Sequence, residues 1–436
     1  MSHSPRPRFY YGWVITGVAF VTGGFSAGIN IWSPSMFVLP MRAELGWSLT
    51  GFFLALTIRS VTGALTMPLL GHLLDRSGWA RRLAIFSTIV TGLGLMGCKW
   101  VGEVPAFDFL SGQLQFYLLF GVFSGAGTVG SGFVIANSVL PKWFIQKRGR
   151  AIGIAAAGTA MGPLAFPFMT QALIDALGWR DAWLALGLIS IGAQLPLVLF
   201  IKTRPEDVGL LPDGAERPDD VTRPAPRRRR RIADVSLTRA EALRTRTFWF
   251  WASAMMVANV GVSGFQPSWV PFLQENGFSN NIAVAGTAIY GGIGGVSRVI
   301  WGMLGERISV RKLIIVQMAL TGATVPVLLY AANNVMVVAF MVSAGLTMGA
   351  YFILQPLMTA ELFGRGHLGA IAGITQPMLT FSAALSPIVV GQLRDLRGDY
   401  FLAFTMATAA WIVGAAIVFL TPPIRRAPEP AVQPAR

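Results

Sequence analysis

Apolar stretches of about twenty residues or more, each long enough to cross roughly 30 Å of hydrocarbon as an α-helix, recur along this whole chain. Twelve can be read, at 12–39, 49–74, 83–101, 113–140, 149–176, 181–201, 248–274, 282–305, 311–331, 335–363, 367–393 and 400–421. No other feature narrows the fold as much. The strands of a membrane barrel would read as short alternating segments instead of long continuous runs. Aliphatic, aromatic, Met and Cys residues supply 53% of the 436 positions and charged residues only 13%, too apolar a balance for a soluble globule. The expected fold class is an all-α membrane protein with twelve transmembrane helices.

The first stretch follows "MSHSPRPRFYYGWV" and has no small-residue cleavage site before the next polar turn. It therefore reads as a retained helix and not a removed leader. The single cysteine, Cys98, excludes a disulfide framework.

A formal charge of +15 invites a nucleic-acid partner, but its distribution argues for topology. If the stretches alternate from a cytoplasmic N-terminus, 28 of the 35 Lys and Arg fall in cytoplasmic segments. Five fall on the other side (Arg42, Lys99, Arg180, Arg394 and Arg397), and two, Arg59 and Arg298, lie inside stretches. The positive-inside rule then places both termini in the cytoplasm, as for a bacterial inner membrane protein, with membrane lipid as the surrounding partner and no nucleic acid.

The longest polar segment divides the stretches six and six. It runs over residues 203–246 and reads as a cytoplasmic linker between residues 1–202 and 247–436. Its "RPAPRRRRR" is a solvated topological determinant that can also touch anionic headgroups. "SLTRAEALRTRTFWF" predicts a short surface helix leading into the seventh stretch.

The halves repeat. A shift of 220 positions superimposes Gly149 on Gly369, Gly153 on Gly373, Pro167 on Pro387, Asp175 on Asp395 and Gly178 on Gly398. "GHLLDRSGWARR" after the second stretch has a weaker echo, "GMLGERISVRK", after the eighth. Two pseudo-symmetric six-helix bundles point to a carrier with one central site, exposed to each side in turn by rocking. The expected unit is a monomer.

These residues carry a resemblance. "GHLLDRSGWARR" resembles the cytoplasmic loop signature of the major facilitator superfamily, matching it at Gly71, Asp75, Arg76, Gly78, Arg81 and Arg82. The resemblance implies that superfamily's fold and a gating role for Gly71, Asp75, Arg76, Gly78 and Arg82, echoed by Glu306 and Arg307. Within the superfamily, "YYGWV", "KWFIQKRGRAIG", "RPEDVGLLPDG", "GGVSRVIWG" and "ELFGRGHLGAIAG" resemble the monocarboxylate transporter and oxalate–formate antiporter branch. That implies carriage of small organic anions, with Arg298 matching the branch's substrate-binding arginine in the eighth helix. The chain departs from the oxalate–formate antiporters in the eleventh stretch, where "ITQPMLTFSAALSPIVVG" has no charge, and the first stretch lacks the lysine of animal monocarboxylate carriers.

Arg298 lies eight residues before Glu306, about 12 Å from the end of its helix. Arg59 lies sixteen before Asp75, about 24 Å from the corresponding end. A charge at that depth costs at least ~2.5–3.5 kcal/mol and needs a partner or a wet cavity. None of the 20 Asp and Glu sits in the interior of a stretch; Glu361 comes nearest, at the cytoplasmic end of the tenth. Two buried cations without a fixed carboxylate favour an anionic substrate, which guanidinium can grip bidentately. Packing through backbone carbonyls is the competing role for each arginine.

Polar stripes at three- and four-residue spacing mark candidate cavity faces: Ser26, Asn30 and Ser33; Asn259, Ser263 and Gln266; Thr347, Tyr351 and Gln355. Hydrogen bonding between helices would explain each equally well. The expected ligands of a small carboxylate are thus Arg298, Arg59, Tyr351, Asn30, Gln266 and Gln355, Tyr351 being favoured by the resemblance. In the fifth stretch, Gly149, Gly158, Gly162 and Pro163 match part of a motif of superfamily antiporters.

The resulting expectation is a secondary carrier of mono- or dicarboxylates, working by anion exchange or with an accompanying proton. A proton-driven multidrug or metabolite exporter and a non-transporting sensor on the same fold are the alternatives. The three histidines, His3, His72 and His367, form no metal-ligand set, and no nucleophile–base pair appears. Neither an enzyme, a metal nor a cofactor is expected.

Overall fold

A computed structural model gives the tertiary arrangement, and it describes residues 10–70, 73, 78–103, 111–130, 138–144, 147–214, 237–363 and 368–422. Those residues are helical throughout the apolar stretches, with no strand among them. Among the described residues nine helices are long and apolar enough to cross a membrane. One of the nine, Ala151–Val198, carries both the fifth and the sixth stretches.

The remaining stretches are helical but interrupted. The first runs as Gly12–Ala27, a wide π turn over Gly28–Trp32, and Ser33–Leu45. At Gly28, which opens that turn, an added Cβ would collide with the Phe166 ring, so only glycine admits that ring. The fourth begins as Gly112–Phe116 followed by a π turn at Tyr117–Phe123. The seventh, expected as one helix, breaks into Arg246–Ser263, a tight turn at Gln266–Ser268 and Trp269–Glu275. Pro267, which lacks a donor, stands at that break.

The predicted entry helix is present as Arg239–Arg244, opened by a reciprocal cap between Thr238 and Glu241. Thr245 and Ser279 cap the seventh and eighth stretches through the amides of Phe248 and Ile282. The internal repeat is visible in the backbone as well. Gly178, between the fifth and sixth stretches, has φ 78°, and Gly398, between the eleventh and twelfth, has φ 80°. Both chains turn in the left-handed region that glycine reaches without strain.

Polar contacts sort the loops onto two faces. On one, the Tyr10 hydroxyl donates to the carbonyls of Trp143 and Leu211, and the Gly78 amide donates to the Thr203 hydroxyl. Leu237 bonds to Phe363, and Arg311 to Phe419 and Thr421, on the same face. This is the basic-loop face. On the other, Arg180 pairs with Glu44 and Glu103, Lys99 with Asp181, and Arg42 and Arg394 with Glu275. There the Trp179 indole, at 2.5 Å, and the Arg180 guanidinium hold the Glu44 carboxyl below the usual glutamate range.

Within the last six stretches the eighth and tenth lie backbone to backbone: a Cβ on Gly349 would meet Gly294 Cα at 2.8 Å. Lipid supplies no hydrophobic drive between helices, so this kind of close approach, with its van der Waals and interhelical contacts, holds the bundle.

Candidate functional site

Gly291, Gly295 and Arg298 follow at four- and three-residue spacing and share one face of the Asn280–Arg307 helix. The glycines let the fifth stretch against that face: a Cβ on Gly291 would meet Leu164 N at 2.8 Å, and one on Gly295 would meet Ala160 at 3.5 Å. The glycine-rich run therefore sets the seam between the first and last six stretches, and it lays Arg298 across that seam. Arg298 Nη1 donates to Thr159 Oγ1 at 2.9 Å, and the guanidinium carbon stands 5.7 Å from the Phe352 ring centre. Its Nε is buried with no hydrogen-bond partner. No carboxylate of the described residues lies within ion-pair distance of it.

Above Arg298, toward the ionic face, the seam is roofed by aromatic rings from both halves. Trp32 lies 5.6 Å from Trp269 and 5.5 Å from Tyr290, and Trp269 meets Tyr290 edge-on at 4.9 Å. Gln266, an expected ligand, donates from Nε2 to the Tyr290 hydroxyl at 2.8 Å. The Trp269 indole nitrogen is fully buried without a partner. Further out, Asp395 accepts from the Leu49 and Thr50 amides, and Arg42 reaches Glu275. The polar contacts between halves thus run from the ionic face down to Arg298 and Thr159.

The other intramembrane cation is elsewhere. Arg59 is 4% exposed and donates to Ser124 Oγ and to the Phe120 carbonyl at 3.4 Å, with Phe120's ring beneath it at 4.8 Å. It lines a cavity with Thr22, Ser26, Ser87, Thr88 and Thr128, all from the first six stretches. The hydroxyls of Thr22, Ser87 and Thr88 give their protons to backbone carbonyls. The structure thus brings Arg59 to the interior of one half and Arg298 to the seam.

Tyr351 also faces inward: it is 2% exposed, donates to the Met255 carbonyl at 3.3 Å and packs edge-on against Trp411 at 5.4 Å. The ring beside Arg298 belongs to the next residue, Phe352. A helix turns by 100° per residue, so adjacent side chains cannot share a wall. Gln355 is half-buried one turn further along the same helix. Asn30 lies in the π turn, and its side chain, like that of Glu306, falls outside the described residues.

Among the expected gating residues, Gly71, Asp75 and Arg76 fall outside the described residues. Gly78 takes φ 75° before the Trp79–Gly97 helix, and Arg82 lies over the Trp79 ring at 5.4 Å. Arg307 is exposed in the last turn of its helix. Glu361, the acid nearest a stretch interior, accepts from the Val310 amide at 3.1 Å and so secures the start of the ninth stretch.

Thr159, Trp32, Trp269, Tyr290 and Phe352 were not among the expected site residues. Tyr290 precedes Gly294 and Arg298 at four-residue spacing, a signal that places it on their face. Thr159 carries no comparable mark, because its place depends on the partner half.

A family model described as Major Facilitator Superfamily matches residues 20–387 and 252–436. The oxalate:formate antiporter of Oxalobacter formigenes is 26% identical over 338 residues, 77% of this chain and 74% of that protein. Monocarboxylate transporter 13 of Bos taurus is 26% identical over 342 residues, 77% of this chain and 72% of its own length. Among solved structures, a bacterial homologue of the human lysosomal transporter Spinster, inward-facing and unoccupied, superimposes with a TM-score of 0.67 at 16% identity. The match covers 96% of this chain and 98% of that one, a likeness of fold.

Proposed function

From the premise that this chain belongs to the Major Facilitator Superfamily, we propose that it is a secondary active transporter of small organic anions, mono- or dicarboxylates, working by alternating access. It is an integral membrane protein of a transporter family. In this reading it sits in a bacterial inner membrane with both termini cytoplasmic, and residues 1–202 and 247–436, joined by the 203–246 linker, rock about a central site. The chain acts as a carrier and not an enzyme, either exchanging anions or admitting a proton with each one.

One observation carries the reading. Arg298 lies at the seam between halves with Nε buried and unpartnered, and with no carboxylate of the described residues to neutralise it. A substrate carboxylate completes that arrangement: two oxygens meet the planar fork, and the charge is balanced in a site of low dielectric. Phe352 on one side, and Gln266 with the aromatic roof above, would wall such a ligand. The exchanged or co-transported species then serves to reset the cavity.

The test is flux in proteoliposomes loaded with a panel of mono- and dicarboxylates. Arg298→Ala is expected to abolish carboxylate uptake while leaving reconstitution and melting temperature near wild type. Undiminished uptake by that variant would falsify the reading. Extrusion of lipophilic cations by the wild type would instead favour the exporter.

A further inference from the structure

Thr159 stands where a substrate oxygen would be needed. It occupies a tight turn, Gly158–Ala160, set in the middle of the fifth stretch between the Arg148–Ala157 helix and the longer one that follows. Such a turn within a helix often marks a hinge. This one is pinned from behind: a Cβ on Gly158 would lie 2.0 Å from the Phe20 carbonyl oxygen, so the turn presses directly on the first stretch. It therefore cannot recede, and it presents Thr159 toward the opposite half.

The hydroxyl's own proton is spent on the Ala156 carbonyl at 2.8 Å. Toward Arg298 its oxygen is a pure acceptor, at 2.9 Å from Nη1. One oxygen satisfies one donor and leaves Nε orphaned. A carboxylate, with two oxygens and a charge, would satisfy more of the same fork. Thr159 and a carboxylate thus compete for one guanidinium, and the carboxylate wins on both geometry and charge.

We propose that Thr159 is a positioning residue that holds Arg298 while the carrier is empty and ties the two halves together in this conformation. The proposal rests on the reading of Arg298 as the anion ligand. Rocking slides the fifth stretch against the eighth, which breaks the Thr159–Arg298 bond. In the empty carrier that leaves a buried guanidinium with no acceptor, so the empty protein turns over slowly. With substrate bound, Arg298 has already left Thr159, and the halves move without that loss. The arrangement therefore favours exchange of one anion for another over net flux.

The experiment compares two rates in the same proteoliposomes: exchange of labelled for unlabelled carboxylate, and net efflux into substrate-free buffer. Thr159→Val keeps the shape and removes the acceptor. It is expected to raise net efflux relative to exchange by about tenfold, the factor that an orphaned buried donor of ordinary cost corresponds to. Thr159→Ser, which keeps the hydroxyl, is expected to return the ratio to wild type. If Thr159→Val fails to reconstitute, Thr159→Ala reads out the same ratio. A ratio equal to wild type in the variants lacking the hydroxyl, or both rates falling together, overturns the proposal. Arg298→Ala separates this from the parent reading. Full exchange by that variant removes the anion site itself, whereas lost exchange with an unchanged Thr159→Val ratio removes only the role of Thr159.

Discussion

Asp395 Oδ2 accepts the Thr50 amide at 2.8 Å and the Thr50 hydroxyl at 2.6 Å, while Oδ1 accepts the Leu49 amide at 3.2 Å. A carboxylate from the end of the helix that carries the eleventh stretch, Leu368–Arg397, thereby caps the free amides that open the second stretch, across the seam between halves. It does so where Gly391 already lets the backbones touch, since a Cβ there would meet Thr50 Cα at 2.8 Å. The contact joins a negative charge to the positive end of a helix dipole, so it strengthens closure of the ionic face.

Replacing Asp395 by Ala should loosen that closure by about 1 kcal/mol, the usual worth of a helix cap. The expected outcome is a larger population open at the ionic face. Distances between spin labels on the loops near Gly46 and Asp399 would report it, the distribution shifting to longer separations than in the parent protein. An unchanged distribution would mean that the Arg42–Glu275–Arg394 cluster alone sets the closure.

Gly349 is the tightest point between the tenth and eighth stretches, its missing side chain facing Gly294 Cα at 2.8 Å. Backbone cannot move aside as a flexible side chain does. Gly349→Val should therefore destabilise the fold by about 1–3 kcal/mol through overpacking. The melting temperature of the purified protein should fall, and transport with it. A melting curve superimposable on wild type would show that the two helices part more easily than their contact implies.

Arg59 serves its own half. Its guanidinium donates to Ser124 Oγ and to the Phe120 carbonyl, both from the first six stretches. Arg59→Ala should lower stability by about 1–3 kcal/mol, the cost of leaving the buried Phe120 carbonyl and Ser124 hydroxyl without their donor. Substrate affinity of the fraction that folds should stay near wild type. Intact stability with lost affinity would place Arg59 in the substrate path after all, and scintillation-proximity binding on detergent-purified protein distinguishes the two.

How much of this was legible beforehand follows from the range of each interaction. The repeat shift superimposes Gly178 on Gly398, and both take left-handed φ, because a turn conformation is a property of a few consecutive residues. The capping pair Thr238–Glu241 and the entry helix it opens were legible for the same reason. The repeat misleads where contacts are long-range. Asp175 and Asp395 are sequence equivalents, yet Asp395 caps the second stretch whereas Asp175 accepts from Gln171 on its own helix at 2.7 Å.

The sequence by itself determined an apolar, helix-by-helix membrane architecture, the positions of Arg298 and Arg59 along their stretches, and the absence of Asp and Glu from the stretch interiors. Those are matters of hydropathy and helical rise, counted along one chain. Only the tertiary structure decided that Arg298 lies on the seam against Thr159 while Arg59 is enclosed in one half, and that Phe352 and not Tyr351 stands beside the guanidinium. The physical reason is that a helix's period fixes which residues share a face, but which neighbour that face meets depends on where glycines such as Gly158, Gly291 and Gly349 let another backbone approach.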